Sequence, residues 1–374
     1  MTNNLLTQDI IAKEALMVLE NNLVLANLVH KDYGKEFVSG VGDTVTIRKP
    51  NTFKTTEFKD EIKIQDLNES KTTVELDTHL DVSFSYTSKD LTLNISDFSK
   101  QFIQPALMSM ANDIDVRLAK LHKDVPFIVG DGGILPTTVK NVIEARKILN
   151  QNKAPLAGRN LVVGANTEAD LLNLEAFHSA EKVGDAGTAL RTGSLGQKFG
   201  FDIFMDQNIQ DHEPGNLTAT DGDLIVKGSI AAGSSTLTLT TDGTALTGGL
   251  VEGDILVIGD KFYAVAQTAE SSGKEIAVSL KLPTISTIDD KEKVKVVGEH
   301  SANLAFHKNA FAFVSRPIAL PTDQGTSSII NYNGLSIRTV SAYDIRTKSN
   351  IMSFDMICGF KTLTPELAVK MIGQ

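Results

Sequence analysis

Residues 72–86 constrain the fold more than any other stretch of this chain. Val74, Leu76, Leu80, Val82, Phe84 and Tyr86 fall on one face of an extended strand, while Glu75, Asp77, His79 and Asp81 fall on the other. Such alternation predicts a strand with one buried face and one that meets water or a partner. The period then changes. Ser96-Asp97 opens a helix predicted to run to about His122, with Phe98, Phe102, Ala106, Met110, Ile114 and Leu121 at roughly helical spacing. At about 1.5 Å rise per residue this is a rod of roughly 40 Å. Pro105 removes one backbone donor, so the rod is predicted to kink or restart at Gln104-Pro105.

Upstream, Ile10, Ile11, Ala15, Leu16, Leu19, Leu23 and Leu28 recur at three- and four-residue steps and predict helix over residues 5–30. Thr7 is placed to cap it and Asn21-Asn22 to break it in two. Residues 37–70 differ in character. Gly40, Gly42 and Asp43 mark a turn, and Thr44–Arg48 reads as a strand. Between Lys49 and Lys71 the charges Lys54, Glu57, Lys59, Asp60, Glu61, Lys63, Asp66 and Glu69 leave too few apolar residues for a core.

Downstream, Val139, Val142, Ile143, Ala145, Ile148 and Leu149 give the apolar side of a helix over Thr137–Asn150, and Asn160–Gly164 reads as a buried strand. Thr167, with Asp170 three residues on, approximates a capping box at the start of another helix. Residues 211–300 are dense in Gly, Ser and Thr. Their short strands, Thr236–Thr240, Ile255–Ile258, Ala277–Leu280 and Val294–Val297, predict a small β-barrel or sandwich.

The totals restrict function. The chain has 374 residues, 41% hydrophobic and 22% charged, with no apolar run approaching the roughly 18 residues of a membrane span. Met1-Thr2-Asn3-Asn4 does not open a secretory signal. The single cysteine, Cys358, excludes an intrachain disulfide framework, fits a reducing cytoplasm and reads as a buried thiol. A formal charge of −10 argues against sequence-independent grip on DNA. Gly40-Val41-Gly42 lacks the rest of a dinucleotide fingerprint, and Gly193–Lys198 is not a phosphate loop. The seven histidines show no pair at metal-ligand spacing, and His307 reads as a hydrogen-bonded core or interface residue. Asp221-Gly222-Asp223 reads as a turn, with weak calcium binding the alternative. No catalytic, cofactor or metal site is expected.

The last seventy-odd residues carry a resemblance. Asn303–Phe313 runs into Arg316-Pro317-Ile318-Ala319-Leu320-Pro321; Leu335–Val340 and Tyr343-Asp344-Ile345 follow, and the chain closes with Asp355–Val369. This resembles the carboxyl end of tailed-phage major capsid proteins of the P22 coat protein type, which have the HK97-like fold. Gly193–Phe204 resembles their A-domain, the helix at 96–122 their spine helix, and Gly253–Leu256 with Phe262–Val265 their insertion domain. The resemblance implies an α+β capsid fold in six parts: an amino-terminal arm (1–36), an extended β-hairpin E-loop (37–71), P-domain strands with the spine helix (72–125), the first part of the A-domain (126–210), a β-rich insertion domain (211–300) and return strands of the A- and P-domains (301–374).

It also implies a coat protein that tiles an icosahedral head shell of hexamers and pentamers. Implied partners are a scaffolding protein, a portal and encapsidated double-stranded DNA; no membrane is implied. Assembly as a procapsid in the host cytoplasm would be followed by expansion on DNA packaging. The loop residues Phe53, Lys54, Phe58, Lys59 and Lys63, and the arm residues Leu16, Leu19 and Leu23, are the expected inter-subunit contacts. For the loop the alternative is a plain surface segment; for the arm it is an amphipathic helix packed on its own domain. Two further readings are an encapsulin-like nanocompartment shell and a β-rich surface or carbohydrate-binding protein built on residues 211–300.

Overall fold

The computed structural model describes residues 8–31, 44–48, 71–87, 99–130, 137–179, 192–321 and 326–373. In chain order they form α1 (Gln8–Asn22), α2 (Leu25–Leu28), β1 (Thr44–Arg48), β2 (Lys71–Glu75) and β3 (Thr78–Thr87). A π-helical turn (Ser99–Ile103) then runs into α3 (Gln104–Ala119) and a 3-10 turn (Lys120–Asp124). Next come β4 (Ile128–Val129), α4 (Val139–Gln151), β5 (Arg159–Val163), α5 (Ala165–Asn173), α6 (Glu175–His178), β6 (Gln197–Lys198), β7 (Phe201–Met205) and β8 (Asp211–His212). Short strands follow: β9 (Thr218–Thr220), β10 (Leu224–Val226), β11 (Thr236–Thr241), β12 (Ala245–Thr247), β13 (Gly249–Leu250), β14 (Ile255–Ile258), β15 (Lys261–Ala264), β16 (Ala269–Glu270), β17 (Glu275–Ser279) and β18 (Val294–Val296). Long strands close the chain: β19 (His300–His307), β20 (Phe311–Arg316), β21 (Thr326–Tyr332), β22 (Leu335–Asp344), β23 (Ser349–Thr362) and β24 (Ala368–Gly373). The chain divides into two compact units.

The first unit takes residues Met1–Asn22, His30–Ala111 and Ala312–Leu363. Its sheet has five strands in the order β20-β23-β22-β21, with β3 also pairing β23. Thr87 pairs with Ser349 and Thr78 with Cys358, so Phe84, Val82 and Leu80 lie opposite Met352, Phe354 and Met356. The Phe84 ring lies 6.2 Å from Phe354 and stacks on Phe102 at 5.5 Å. These cross-strand pairs use the alternation read from the sequence. The single strand expected over 72–86 is nevertheless divided at Leu76-Asp77, because β2 pairs antiparallel with β1 and not with the main sheet. Helix α1 lies on β21 and β22 and buries Ile11, Ala12, Ala15, Leu16 and Leu19.

Pro105 is the second residue of α3, and the π-helical turn directly precedes it. The buried face is Ile103, Leu107, Met110, Ala111, Ile114 and Leu118, so Phe102 and Ala106 stand one position off the stripe that even spacing predicts. Phe98 lies outside the described residues.

The second unit takes Leu23–Val29, Asn112–Phe311 and Thr364–Gln374. Its seven-stranded sheet runs β4-β24-β19-β5-β7-β6, with β8 on β19. Every residue of β19, β5 and β24 is buried, as strands covered on both faces must be. Val142, Ala145 and Leu149 of α4 join Leu161, Val163, Phe177, Phe201, Ala305 and Met371 in one cluster. Buried Asn303 is fully engaged: its Oδ1 accepts from Gly164 N at 2.8 Å, and its Nδ2 donates to Thr167 Oγ1 at 2.9 Å and Met371 O at 3.2 Å. The capping box expected at Thr167 is therefore absent. Thr167 sits inside α5, and Asp170 instead accepts from Thr137 N at 2.8 Å. The chain does break after Asn22, and buried Asp115 of α3 accepts from Val24 N and Ala26 N at 2.8 and 3.0 Å, satisfying the start of α2.

Strands β9 to β18 form small antiparallel sheets, β10-β11-β17, β12-β9, β13-β16 and β15-β14-β18. A buried cluster including Val226, Leu237, Leu239, Leu256, Ile276, Val278 and Val294 is drawn from this segment alone. A second cluster joins its Ile255 and Ala264 to Ile128 and Ile372 of β4 and β24.

Candidate functional site

Among the described residues no group of three or more His, Cys, Asp or Glu side chains is placed to hold a metal ion. No described helix is long and apolar enough to cross a membrane. Cys358 is buried. His307 is a core histidine whose Nδ1 accepts from Asn309 N at 3.3 Å; burial, and then Arg159, hold its pKa below the ordinary value. Asp221-Gly222-Asp223 forms a turn: Asp221 takes a positive φ, Asp223 N donates to Asp242, and the Asp223 carboxylate pairs with Lys293.

The surfaces that bear on association begin with the pair β1–β2. Its antiparallel register runs from Thr44 opposite Glu75 to Arg48 opposite Lys71, so it closes the two ends of residues 49–70 onto each other. Phe53, Lys54, Phe58, Lys59 and Lys63 lie outside the described residues. The side chains of Leu16 and Leu19 are buried against the strands under α1, and Leu23 is buried in the second unit. Among the described residues of α1, the large apolar side chains left exposed are Ile10 and Met17.

A second surface escaped the sequence reading. The β22–β23 turn carries Tyr343, Ile345 and Ile351, and Ile345 is 79% exposed. Asp344 holds the turn: its carboxylate accepts from Arg346 N at 2.9 Å and Thr347 Oγ1 at 3.0 Å, and these bonds lower its pKa. Ile351 stands opposite Ala342 and leaves the strand pair on the face away from Tyr343, so these side chains are exposed singly and not as one patch. At mid-strand the polar face of this sheet is organised by Arg338, bidentate on nearly buried Asp355, with His79 3.5 Å from the same carboxylate.

The third feature is buried. His122 from the 3-10 turn after α3, His212 on β8 and His300 on β19 meet ring to ring, with centroids 5.5 Å apart for the first pair and 5.2 Å for the second. His212 Nε2 bonds Asp254 Oδ1 at 2.8 Å; the Asp254 carboxylate also accepts from Val251 N at 2.7 Å and Gly215 N at 3.1 Å. Lys370 of β24, 0% exposed, donates to Gly253 O at 3.3 Å. Burial lowers the Lys370 pKa to about 7, although Asp254 opposes the shift. Burial likewise drives His300 to about 4 and His122 well below its ordinary value. These residues are scattered along the chain, and no local spacing announced them.

A family model described as P22 coat protein, gene protein 5, matches residues 1–245. No curated protein sequence matches the chain. Among solved structures, one described as Mycobacterium phage Che8 aligns with a TM-score of 0.53 at 16% identity, covering 93% of this chain and 90% of that one. The capsid structure of the cyanophage P-SCSP1u aligns with a TM-score of 0.50 at 10% identity, covering 89% and 84%. At such identities the likeness speaks for the fold, which is the HK97-like capsid fold. The family match spans well over half of the sequence, so the chain belongs to the P22 coat protein family and is a major capsid protein that forms a phage head shell.

Proposed function

We propose that this coat protein closes its shell by laying residues 49–70 over a neighbouring subunit within hexamers and pentamers. The observation that carries the proposal is the β1–β2 pair, which gathers both ends of that charged segment at one place, as the base of a projecting hairpin requires. Phe53 and Phe58 are the apolar contacts of the loop, with Lys54, Lys59 and Lys63 as its charged flank. The arm faces inward, and a neighbour meets it through Ile10 and Met17, large apolar side chains that α1 leaves exposed. The segment 211–300 acts as an insertion domain on the outer face; its self-contained cluster supports that division. Assembly starts in the host cytoplasm as a procapsid on a scaffolding protein, double-stranded DNA enters through a portal, and the shell expands. The role is structural and not enzymatic, and many modest contacts per subunit sum to a stable particle.

Deleting residues 50–68 tests the loop. The variant should give folded subunits, by circular dichroism, that do not close when co-expressed with the scaffold and are imaged by negative-stain electron microscopy. Normal closed shells from the deletion variant would rule the overlap out.

A further inference from the structure

The buried histidines occupy the place where the β-rich segment meets the sheet. His212 lies on the strand that leads into the segment, and its register partner His300 lies on the strand that leads out. Asp254 sits in the turn before β14, inside the segment, and Lys370 comes from the last strand of the sheet. One carboxylate thus joins the incoming strand, the inner turn and the loop at Gly215. The site is not neutral in its design. Lys123 flanks His122 on its own turn, and Lys281 stands near Lys370 with its charge divided between Asp124 at 3.0 Å and Glu252 at 2.8 Å. Asp254 is the fully buried carboxylate of the group. A cleft of about 820 Å³ is lined by His122 and His212 together with Lys120, Asp211, Glu213 and Glu299.

The hydrogen bonds show where protons would enter. His300 Nδ1 lies 2.9 Å from Gly298 O, which makes it the donor and leaves Nε2 as a lone pair, buried and without a partner. His122 Nδ1 is also buried without a partner. Both atoms can accept a proton, and neither has a carboxylate to hold the resulting charge.

We propose that His122 and His300, packed against the His212–Asp254 pair and Lys370, form a proton-operated latch that holds the β-rich segment on the sheet while these two rings are neutral and releases it when they charge. Once those two rings charge, His122, His300 and Lys370 set three cations around one buried carboxylate, and the cleft gives water a route in. Separation of β8 and the 251–254 turn from β19 and β24 relieves that repulsion by hydrating the charges. The sign follows from burial. His300 binds its proton more weakly when folded, so the closed form keeps its full stability above about 6.5 and loses it as pH falls towards about 4. Lys370, at about 7, is already charged throughout that window and adds to the strain.

Hydrogen exchange of the full-length subunit, corrected for intrinsic rates, tests this at about pH 7.5 and about pH 5. The latch requires protection at residues 210–216, 251–254 and 298–304 to fall by roughly tenfold or more at the lower pH, with the β22–β23 hairpin unchanged. His122→Gln and His300→Gln should each flatten that response. Uniform loss across the chain, or no loss at the three places, would overturn the proposal from the wild-type protein alone, whether or not the variants fold. An undiminished response in folded variants would overturn it as well.

Discussion

At the scale of single residues, Lys370 is a costly side chain to bury. Its ammonium has left water for a strand core and donates one long hydrogen bond, to Gly253 O at 3.3 Å. Its folded pKa of about 7 lies below the ordinary 10.5, so its contribution is favourable only above about 10.5 and is lost as pH falls to about 7. Methionine fills similar volume without the charge. Asp254 keeps its bonds to His212, Val251 N and Gly215 N, so Lys370→Met, which removes the poorly paired amine, should stabilise the subunit at pH 7 by ~1–3 kcal/mol, and by much less near pH 10. Urea unfolding at both pH values measures the difference. A variant no more stable than wild type at pH 7 would mean that the amine is held better than its geometry indicates. None of this could be read along the chain. Lys370 sits among Ala368, Val369, Met371 and Ile372, and the charge that offsets its burial, Asp254, belongs to a distant turn. His122, His212 and His300 were legible one by one as histidines but not as a cluster, because sequence reading finds metal or catalytic sites by local spacing.

At the scale of elements, burial was more legible than pairing. The alternation at 72–86 gave the correct inward face, yet a two-residue period says nothing about which strand lies alongside. The division at Leu76-Asp77 is enforced by a close crossing: a Cβ on Gly359 of β23 would lie 2.1 Å from Glu75 O. Glycine lets the end of β2 pass over β23 before the chain turns into β3. Gly359→Ala should force these backbones apart and destabilise the first unit by ~1–3 kcal/mol, with faster amide exchange in β1 and β2 than in β21. Thermal unfolding and exchange read both effects, and a neutral substitution would refute the crossing. The long helix shows the same limit. Its existence, its restart at Pro105 and its Met110 and Ile114 face followed from the pattern; the burial of Ile103 and Leu107 in place of Phe102 and Ala106 did not, because strict four-residue steps drift around a helix of about 3.6 residues per turn. The break after Asn22 was legible, but its support, the Asp115 carboxylate, comes from a helix far along the chain.

At the scale of the whole molecule, composition was the guide. The Gly-, Ser- and Thr-rich shift at residue 211 and the return to long apolar strands near 300 bracket a segment with a cluster of its own. Its two ends run side by side where His212 pairs with His300. A short glycine linker from Asn216 to Val297 can therefore replace residues 217–296 without stretching the sheet, because paired strands lie only about 5 Å apart. The shortened chain should fold with its sheet intact but lose ~2–4 kcal/mol, since Ile128 and Ile372 would no longer be covered by Ile255 and Ala264. Residues 215–298 expressed alone should unfold cooperatively, as a segment that buries Val226, Leu237, Leu256, Ile276 and Val278 against one another is equipped to do. Circular dichroism melts of the two pieces decide the matter. Cooperative unfolding of both would establish that the fold carries a separable domain. A gradual melt of the isolated segment would show instead that its strands depend on the sheet, and the division at 211–300 would then mark a change of composition and not of domain.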